Sequence, residues 1–110
     1  KNRMVDLLEK TYQDPGLSLS TVAEKFNLTE SYISQFFKEQ AGENFSSYLE
    51  KIRMGHACEL LTETEMPINE IAKTVGYYSD QVFRRAFKRY HGTTPNEFRL
   101  LLKSNELDFV

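Results

Sequence analysis

Apolar residues recur at intervals of three and four along most of the chain, a spacing typical of amphipathic helices that bury one face. Segments rich in proline, glycine or polar residues interrupt these runs. Asp14-Pro15-Gly16 ends a leading helix at about residues 1–13, and Met66-Pro67 ends a central helix at about 45–64. Alternating, strand-like runs are few. The pattern therefore predicts an all-α fold of seven helices.

The same helical unit occurs twice in the chain. Residues 17–49 resemble residues 66–99, at a separation of 49 positions before a turn and 50 positions after it. In each copy a short apolar segment, a turn and a longer amphipathic segment follow one another, which is the order of a helix-turn-helix. Corresponding pairs include Leu19 with Ile68, Val22 with Ile71, Ala23 with Ala72, Ile33 with Phe83, Phe37 with Phe87, Lys38 with Lys88 and Gly42 with Gly92.

Capping residues repeat at the ends of the longer segment in each copy. Thr29 and Ser79 can accept hydrogen bonds from the free backbone N–H groups of a helix start, and Gly42 and Gly92 can take the left-handed conformation that ends a helix. Thr94-Pro95-Asn96-Glu97 combines a capping box with proline at the first helical position. These signals predict where the second helix of each motif and the last helix of the chain begin.

The predicted helices divide the chain into a first subdomain at about 1–43, a linker helix at about 45–64, a second subdomain at about 67–103 and a C-terminal tail at 104–110. A helix of roughly 20 residues is about 30 Å long, close to the ~34 Å between successive major grooves on one face of a duplex. The linker helix is therefore predicted to space the two motifs.

Each longer segment has a polar side opposite its apolar stripe. These sides carry Ser31, Ser34, Gln35 and Lys38 in the first copy, and Gln81, Arg84, Arg85 and Lys88 in the second. Arginine can donate two hydrogen bonds to guanine, glutamine can pair with adenine, and lysine can meet phosphate. A polar face on one surface helix is ordinarily only solvated, but its repetition at matching positions favours a surface that reads DNA.

Charge is distributed unevenly along the chain, whose formal net charge is −2. Residues 1–75 hold 8 Lys and Arg against 12 Asp and Glu, whereas residues 76–103 hold 6 against 2. Phosphate binding requires positive charge, so the second copy is predicted to supply most of the electrostatic attraction.

The motifs of this chain resemble those of the C-terminal DNA-binding domain of AraC/XylS-type bacterial transcriptional regulators. The resemblance spans about residues 5–103 and is carried by A-x-x-L-L at Ala57–Leu61, Val75-Gly76-Tyr77, Phe87-Lys88 and Thr94-Pro95. It implies seven helices, with two helix-turn-helix subdomains joined by a long central helix. It also implies that the two recognition helices enter consecutive major-groove segments.

Contact residues follow from the same resemblance. Base edges would be contacted by Ser31, Ser34, Gln35, Gln81, Val82, Arg84 and Arg85, and the DNA backbone by Lys38, Arg53, Lys88 and Thr94. The reading face at 29–38 departs from this pattern because it lacks arginine, so less direct specificity is expected from it. Asp80 would repel nearby phosphate, although it favours the positive end of the helix dipole.

The expected partners are promoter double-stranded DNA, RNA polymerase and an upstream domain of effector-binding, dimerising or receiver type. The chain begins at Lys1 rather than methionine, which suggests a piece of a longer protein. A single cysteine, Cys58, allows no intramolecular disulfide and fits a reducing interior, so a bacterial cytoplasmic protein is predicted, associated with the nucleoid when bound. No run approaches the roughly 18 apolar residues of a membrane span, so no membrane partner is expected.

Other site chemistries are poorly represented. His56 and Cys58 lie about 200° apart on a helix and, with His91, do not form a convincing metal site, so no metal and no cofactor are predicted. A glycine-rich phosphate loop, a paired acid and base, and an activated nucleophile are all missing, which argues against an enzyme. The alternative is a helical protein-interaction module with weak or lost DNA binding, which the negative net charge favours.

Overall fold

The computed structural model describes the backbone of residues 3–108 and the side chains of residues 3–102. Its helices are α1 (Arg3–Thr11), α2 (Leu19–Phe26), α3 (Glu30–Ala41), α4 (Phe45–Glu63), α5 (Ile68–Thr74), α6 (Asp80–His91) and α7 (Pro95–Asp108). The described backbone contains no strand. The predicted all-α fold of seven helices is therefore confirmed.

The last helix is longer than predicted. α7 continues past residue 103 to Asp108, so the proposed tail at 104–110 begins inside a helix, and its last two residues, 109 and 110, lie outside the described part. After Pro95 the sequence offers no proline or glycine that would end a helix before that point. The helix thus runs past the predicted end of the second subdomain at 103, and the subdomain bounds themselves stay a prediction.

The chain forms two compact units, of which unit 1 ends at Arg53 and unit 2 begins at Met54. This boundary falls inside α4, the predicted linker helix. A spacing role for α4 between two DNA-bound motifs stays a prediction. No described helix is both long enough and apolar enough to cross a bilayer.

Unit 1 is organised around the packing of α2 against α3. Ala23 is buried where the two helices meet, and its small side chain permits their close approach. Thr29 Oγ1 accepts the Tyr32 N–H at 3.1 Å, and Gly42 ends α3 with φ 75°, as predicted. The core of this unit consists of Leu8, Val22, Ala23, Ile33, Phe37, Phe45, Leu49 and Ile52.

Unit 2 repeats this plan with α5 and α6, and α7 packs against α6. Ala72 is fully buried at the position that corresponds to Ala23. Ser79 Oγ accepts the Val82 N–H at 3.1 Å, and Gly92 ends α6 with φ 82°. Both caps are those that the sequence predicted. The buried apolar residues of this unit include Met54, Ala57, Leu61, Ile68, Ile71, Ala72, Val75, Phe83, Ala86, Phe87 and Pro95.

Candidate nucleic-acid interface

Buried aromatic rings pack on the inner face of α6 and hold the helix in place. Phe83 and Phe87 are both 0% exposed, and their ring centroids lie 5.8 Å apart. Phe87 also meets Phe98 of α7 edge to face at 5.5 Å, and Tyr77 lies 5.5 Å from Phe83. These rings fix the rotation of α6, which decides the side chains that it turns outward.

The outward side of α6 carries most of the residues predicted to contact DNA. Gln81, Val82, Arg85 and Lys88 are exposed, and Arg84 is partly exposed. The structure therefore brings the predicted contact residues of the second motif together on one helix. Arg85 forms no ion pair within the described residues, and Lys88 is exposed but lies close enough to Glu97 to help lower the pKa of that carboxyl.

Arg84 differs from Arg85 because it is paired within its own helix. Its Nε donates to Asp80 Oδ1 at 2.7 Å, and both side chains are more than a third exposed. The acid lies four residues before the base, near the positive end of the helix dipole, which is the favourable order for such a pair. Only Nε is engaged among the described residues, so the terminal nitrogens of Arg84 remain able to donate.

The corresponding surface of α3 is less suited to meet phosphate. Ser31, Gln35 and Lys38 are exposed there, whereas Ser34 is half-buried. Gln35 Nε2 donates to Glu39 Oε2 at 2.9 Å, so the amide predicted to read adenine is occupied by a carboxylate. This contact would have to open before Gln35 could meet a base.

The net charges of the two helices also differ. α3 carries one basic residue, Lys38, against Glu30 and Glu39, so its side chains sum to −1. The side chains of α6 sum to +3, from Arg84, Arg85, Lys88 and Arg89 against Asp80, with His91 neutral. The predicted inequality of the two motifs is present in the charges of their second helices.

The exposure pattern of α3 nevertheless repeats in α6 at a separation of 50 residues. Both helices bury their fourth and eighth residues, and both expose their second, third, sixth and ninth. The third residue is Tyr32 in α3 and Val82 in α6, and these apolar side chains are 55% and 45% exposed. Sequence reasoning missed Tyr32 as a surface residue of interest, although its alignment with Val82 was a signal.

Arg53, predicted to contact the DNA backbone, is instead buried, with 9% of its surface exposed. Its Nε donates to the Tyr12 carbonyl and its Nη2 to the Asp14 carbonyl, each at 2.9 Å. These carbonyls lie at the end of α1 and in the following turn, where backbone acceptors lack helical partners. Burial and these two hydrogen bonds argue against the predicted backbone contact of Arg53, because its guanidinium holds the chain after α1 rather than facing solvent.

Replacing Arg53 with alanine should therefore destabilise unit 1, by about 1.5–3 kcal/mol, because charge-assisted hydrogen bonds to partly buried carbonyls are lost. Urea unfolding followed by circular dichroism would measure the change. Lys25→Ala is the matched control, because Lys25 is an exposed cation on α2 and its loss should cost less than about 0.5 kcal/mol. Equal midpoints for the two variants would contradict the role given to Arg53.

Thr94 acts as the cap of α7. Its Oγ1 accepts the Glu97 N–H and its own N–H donates to Glu97 Oε1, both at 3.1 Å, which confirms the predicted capping box. The Thr94 backbone N–H, followed by the hydroxyls of Thr93 and Thr94, holds the pKa of Glu97 below its usual value. A phosphate contact from the Thr94 hydroxyl hydrogen stays a prediction.

One contact in unit 2 was not foreseen. Cys58 Sγ lies 3.4 Å from His91 Nε2, and the His91 ring lies against Phe87 with centroids 4.4 Å apart. Burial raises the pKa of the Cys58 thiol and lowers the pKa of the His91 imidazole, so the neutral form of each group is favoured. Among the described residues no group of three or more His, Cys, Asp or Glu side chains could hold a metal ion.

Known proteins share both this sequence pattern and this fold. A family described as "Helix-turn-helix domain" matches residues 22–100. The C-terminal domain of AraT, a response regulator from Geobacillus stearothermophilus, is 40% identical, with a TM-score of 0.88 over 90% of this chain and 82% of that one. The DNA-binding domain of AdpA, solved with a target DNA, is 19% identical with a TM-score of 0.87, over 94% and 92% of the two chains, which shows likeness of fold.

Among curated relatives, the transcriptional regulatory protein YesN of Bacillus subtilis is 32% identical over 101 residues, which make up 89% of this chain but 27% of YesN. The chain thus spans about a quarter of that relative. The family match covers most of the chain, and the resemblance drawn from its motifs agrees with it. The chain therefore belongs to the helix-turn-helix domain family, and within it to the AraC type of DNA-binding domain found in bacterial transcriptional regulators.

Proposed function

We propose that this chain binds double-stranded DNA with sequence preference as the DNA-binding part of a transcriptional regulator, and that α6 is its principal reading helix. The outward face of α6 carries this proposal, because Gln81, Arg84 and Arg85 offer base-reading donors beside the phosphate-binding cation Lys88. The buried rings beneath α6 hold that face in a fixed orientation. Membership of the family supports the same function.

The second reader in this proposal is α3, with a smaller share of the binding free energy. Ser31 and Gln35 are exposed, but serine discriminates poorly between bases and Gln35 is bonded to Glu39. Lys38 would contact phosphate, as Lys88 would in the other motif. Insertion of the two helices into successive major-groove segments stays a prediction, which the number and spacing of protected segments in a footprint would test.

Selection of bound sequences from a random duplex pool tests this function directly. A shared sequence should emerge for the wild-type chain, and it should weaken or disappear for a variant with both Arg84→Ala and Arg85→Ala. Arg3→Ala is the matched control, because Arg3 is an exposed arginine on α1, outside both motifs. If the wild-type chain enriches no sequence over several rounds, the function is contradicted.

Lys88→Ala should weaken binding to every duplex by a similar factor, because a lysine that meets phosphate carries no sequence information. The slope of log K against log salt should become shallower by about 1, as expected for the loss of one phosphate contact. Titrations of a selected and a scrambled duplex at several salt concentrations measure both effects. Lys10→Ala on α1 serves as the charge-matched control, and a loss confined to the selected duplex would contradict the assignment.

The chain would perform this function as one part of a longer protein. Its match to about a quarter of YesN favours an additional domain, and the similarity to the AraT response regulator favours one of receiver type over an effector-binding or dimerising one. RNA polymerase is the proposed partner at the promoter. The proposed location is the bacterial cytoplasm, on the nucleoid when DNA is bound.

A protein-interaction module remains the second candidate, and the acidic surface of α3 favours it. Glu30 and Glu39 are exposed there, and the amide of Gln35 is held by Glu39. The selection experiment separates the two candidates. A shared sequence that depends on Arg84 and Arg85 supports DNA reading, whereas absent or non-selective binding favours the interaction module.

A further inference from the structure

We propose that Tyr32 and Val82 read thymine, each by packing its apolar side chain against the C5 methyl group of one base. This inference rests on the proposed DNA binding and names part of what each motif recognises. Tyr32 lies on α3 and Val82 on α6, at positions separated by 50 residues, as are the other matched residues of these helices. The two motifs would thus share one reading position.

The local backbone of these residues is the same in both motifs. Each is the third residue of its helix, and its backbone N–H is bonded to the cap, Thr29 or Ser79, at 3.1 Å. The first helical turn is the part of a recognition helix that contacts base edges in the major groove. The caps therefore fix both side chains in the turn that would meet the bases.

Exposure argues that these side chains have a partner outside the chain. Tyr32 is 55% exposed and Val82 is 45% exposed, while the next residue of each helix, Ile33 or Phe83, is 0% exposed. A single exposed apolar side chain is ordinary on a protein surface. Two at one position of a duplicated helix, each among polar residues, are better explained by an apolar target that both motifs meet.

The neighbours of these residues identify that target as a base edge. On α6 Val82 follows Gln81 directly and precedes Arg85 by three residues, so it adjoins two exposed side chains that can bond adenine and guanine. On α3 Tyr32 lies in the same way with Ser31 and Gln35. The thymine methyl is the apolar group on the floor of the major groove, and apolar side chains recognise it there.

Deoxyuridine isolates the methyl group, because it pairs as thymidine does and lacks only the C5 methyl. Starting from a duplex selected by the wild-type chain, each thymidine is replaced in turn, and binding is measured for wild type and Val82→Ala. At one position the replacement should weaken wild-type binding about fourfold, the effect of one methyl group no longer buried. The same replacement should weaken Val82→Ala binding by less than about twofold, and other positions should be affected equally in both proteins.

Tyr32 is tested in parallel, and replacement of a different thymidine by deoxyuridine should weaken wild-type binding through it. Tyr32→Ala should lose this sensitivity to the thymine methyl group, whereas Tyr32→Phe should retain it, because the ring remains. Val82→Thr is the matching control on α6 and should also retain sensitivity to the thymine methyl group, since threonine keeps one methyl group on a side chain of the same shape. Circular dichroism should show unchanged helix content for all variants, because both side chains are about half exposed.

The outcomes separate this inference from the function on which it rests. If wild type selects a sequence but each deoxyuridine affects wild type and the alanine variants equally, the thymine reading is overturned and sequence-preferring DNA binding stands. A selected sequence that has no thymine at any protected position would also overturn the thymine reading and leave sequence-preferring DNA binding standing. If wild type selects no sequence, both are overturned.

Discussion

Replacing Phe87 with alanine should lower the free energy of unfolding by about 3–5 kcal/mol, more than any surface change in the chain. Phe87 is 0% exposed, and the rings of Phe83, His91 and Phe98 surround it with centroids 4.4–5.8 Å away. Removal of its ring leaves a cavity lined by rigid aromatic groups, which can collapse only in part. The cost therefore includes both lost burial and an unfilled space.

Urea unfolding of wild type, Phe87→Leu and Phe87→Ala measures this effect in two steps. Leucine keeps part of the volume and should give an intermediate midpoint. Tyr90→Ala on the same helix is the control for loss of an aromatic side chain, because Tyr90 is 44% exposed and should cost much less. An alanine variant with the wild-type midpoint would contradict the packing described for α6.

The same substitution links packing to function. The rings under α6 decide which side chains the helix turns outward, so a loosened core should weaken DNA binding without removing any contact residue. Phe87→Leu should lose less binding than Phe87→Ala, in the order of their stabilities. This parallel is expected if α6 is a reading helix.

Local signals in the sequence located the helices well. The caps Thr29 and Ser79 and the left-handed glycines Gly42 and Gly92 act over four or five neighbouring residues, so their effect can be read without knowing the fold. The predicted end of the last helix fell short because no proline, glycine or other local signal ends α7 after Pro95.

Contacts between distant residues could not be predicted in this way. Arg53 meets carbonyls 39 and 41 residues earlier in the chain, and nothing in its neighbourhood distinguishes it from a surface arginine. The contact of Cys58 with His91 spans 33 residues and depends on how unit 2 packs. By contrast, the Asp80–Arg84 and Gln35–Glu39 contacts have the spacing of helical neighbours and could have been found.

The largest expected effect on DNA recognition belongs to Arg85. Arg85→Ala should weaken binding to the selected duplex by about 1–3 kcal/mol, roughly 5- to 150-fold, and relax the preference at one base pair. Arg85 is exposed and has no ion pair within the described residues, so its guanidinium can reach a guanine without first breaking a contact. Arg84 must share its guanidinium with Asp80, so Arg84→Ala should have the smaller effect.

Arg85→Lys separates shape from charge, because lysine keeps the positive charge but lacks the planar fork that bonds two guanine acceptors. Binding of Arg85→Lys to a scrambled duplex should equal that of wild type, while binding to the selected duplex should fall nearly as far as for Arg85→Ala. If lysine instead restored wild-type preference, Arg85 would be acting as a phosphate-binding charge. In that case the sequence preference of α6 would have to come from its neighbours Gln81 and Arg84.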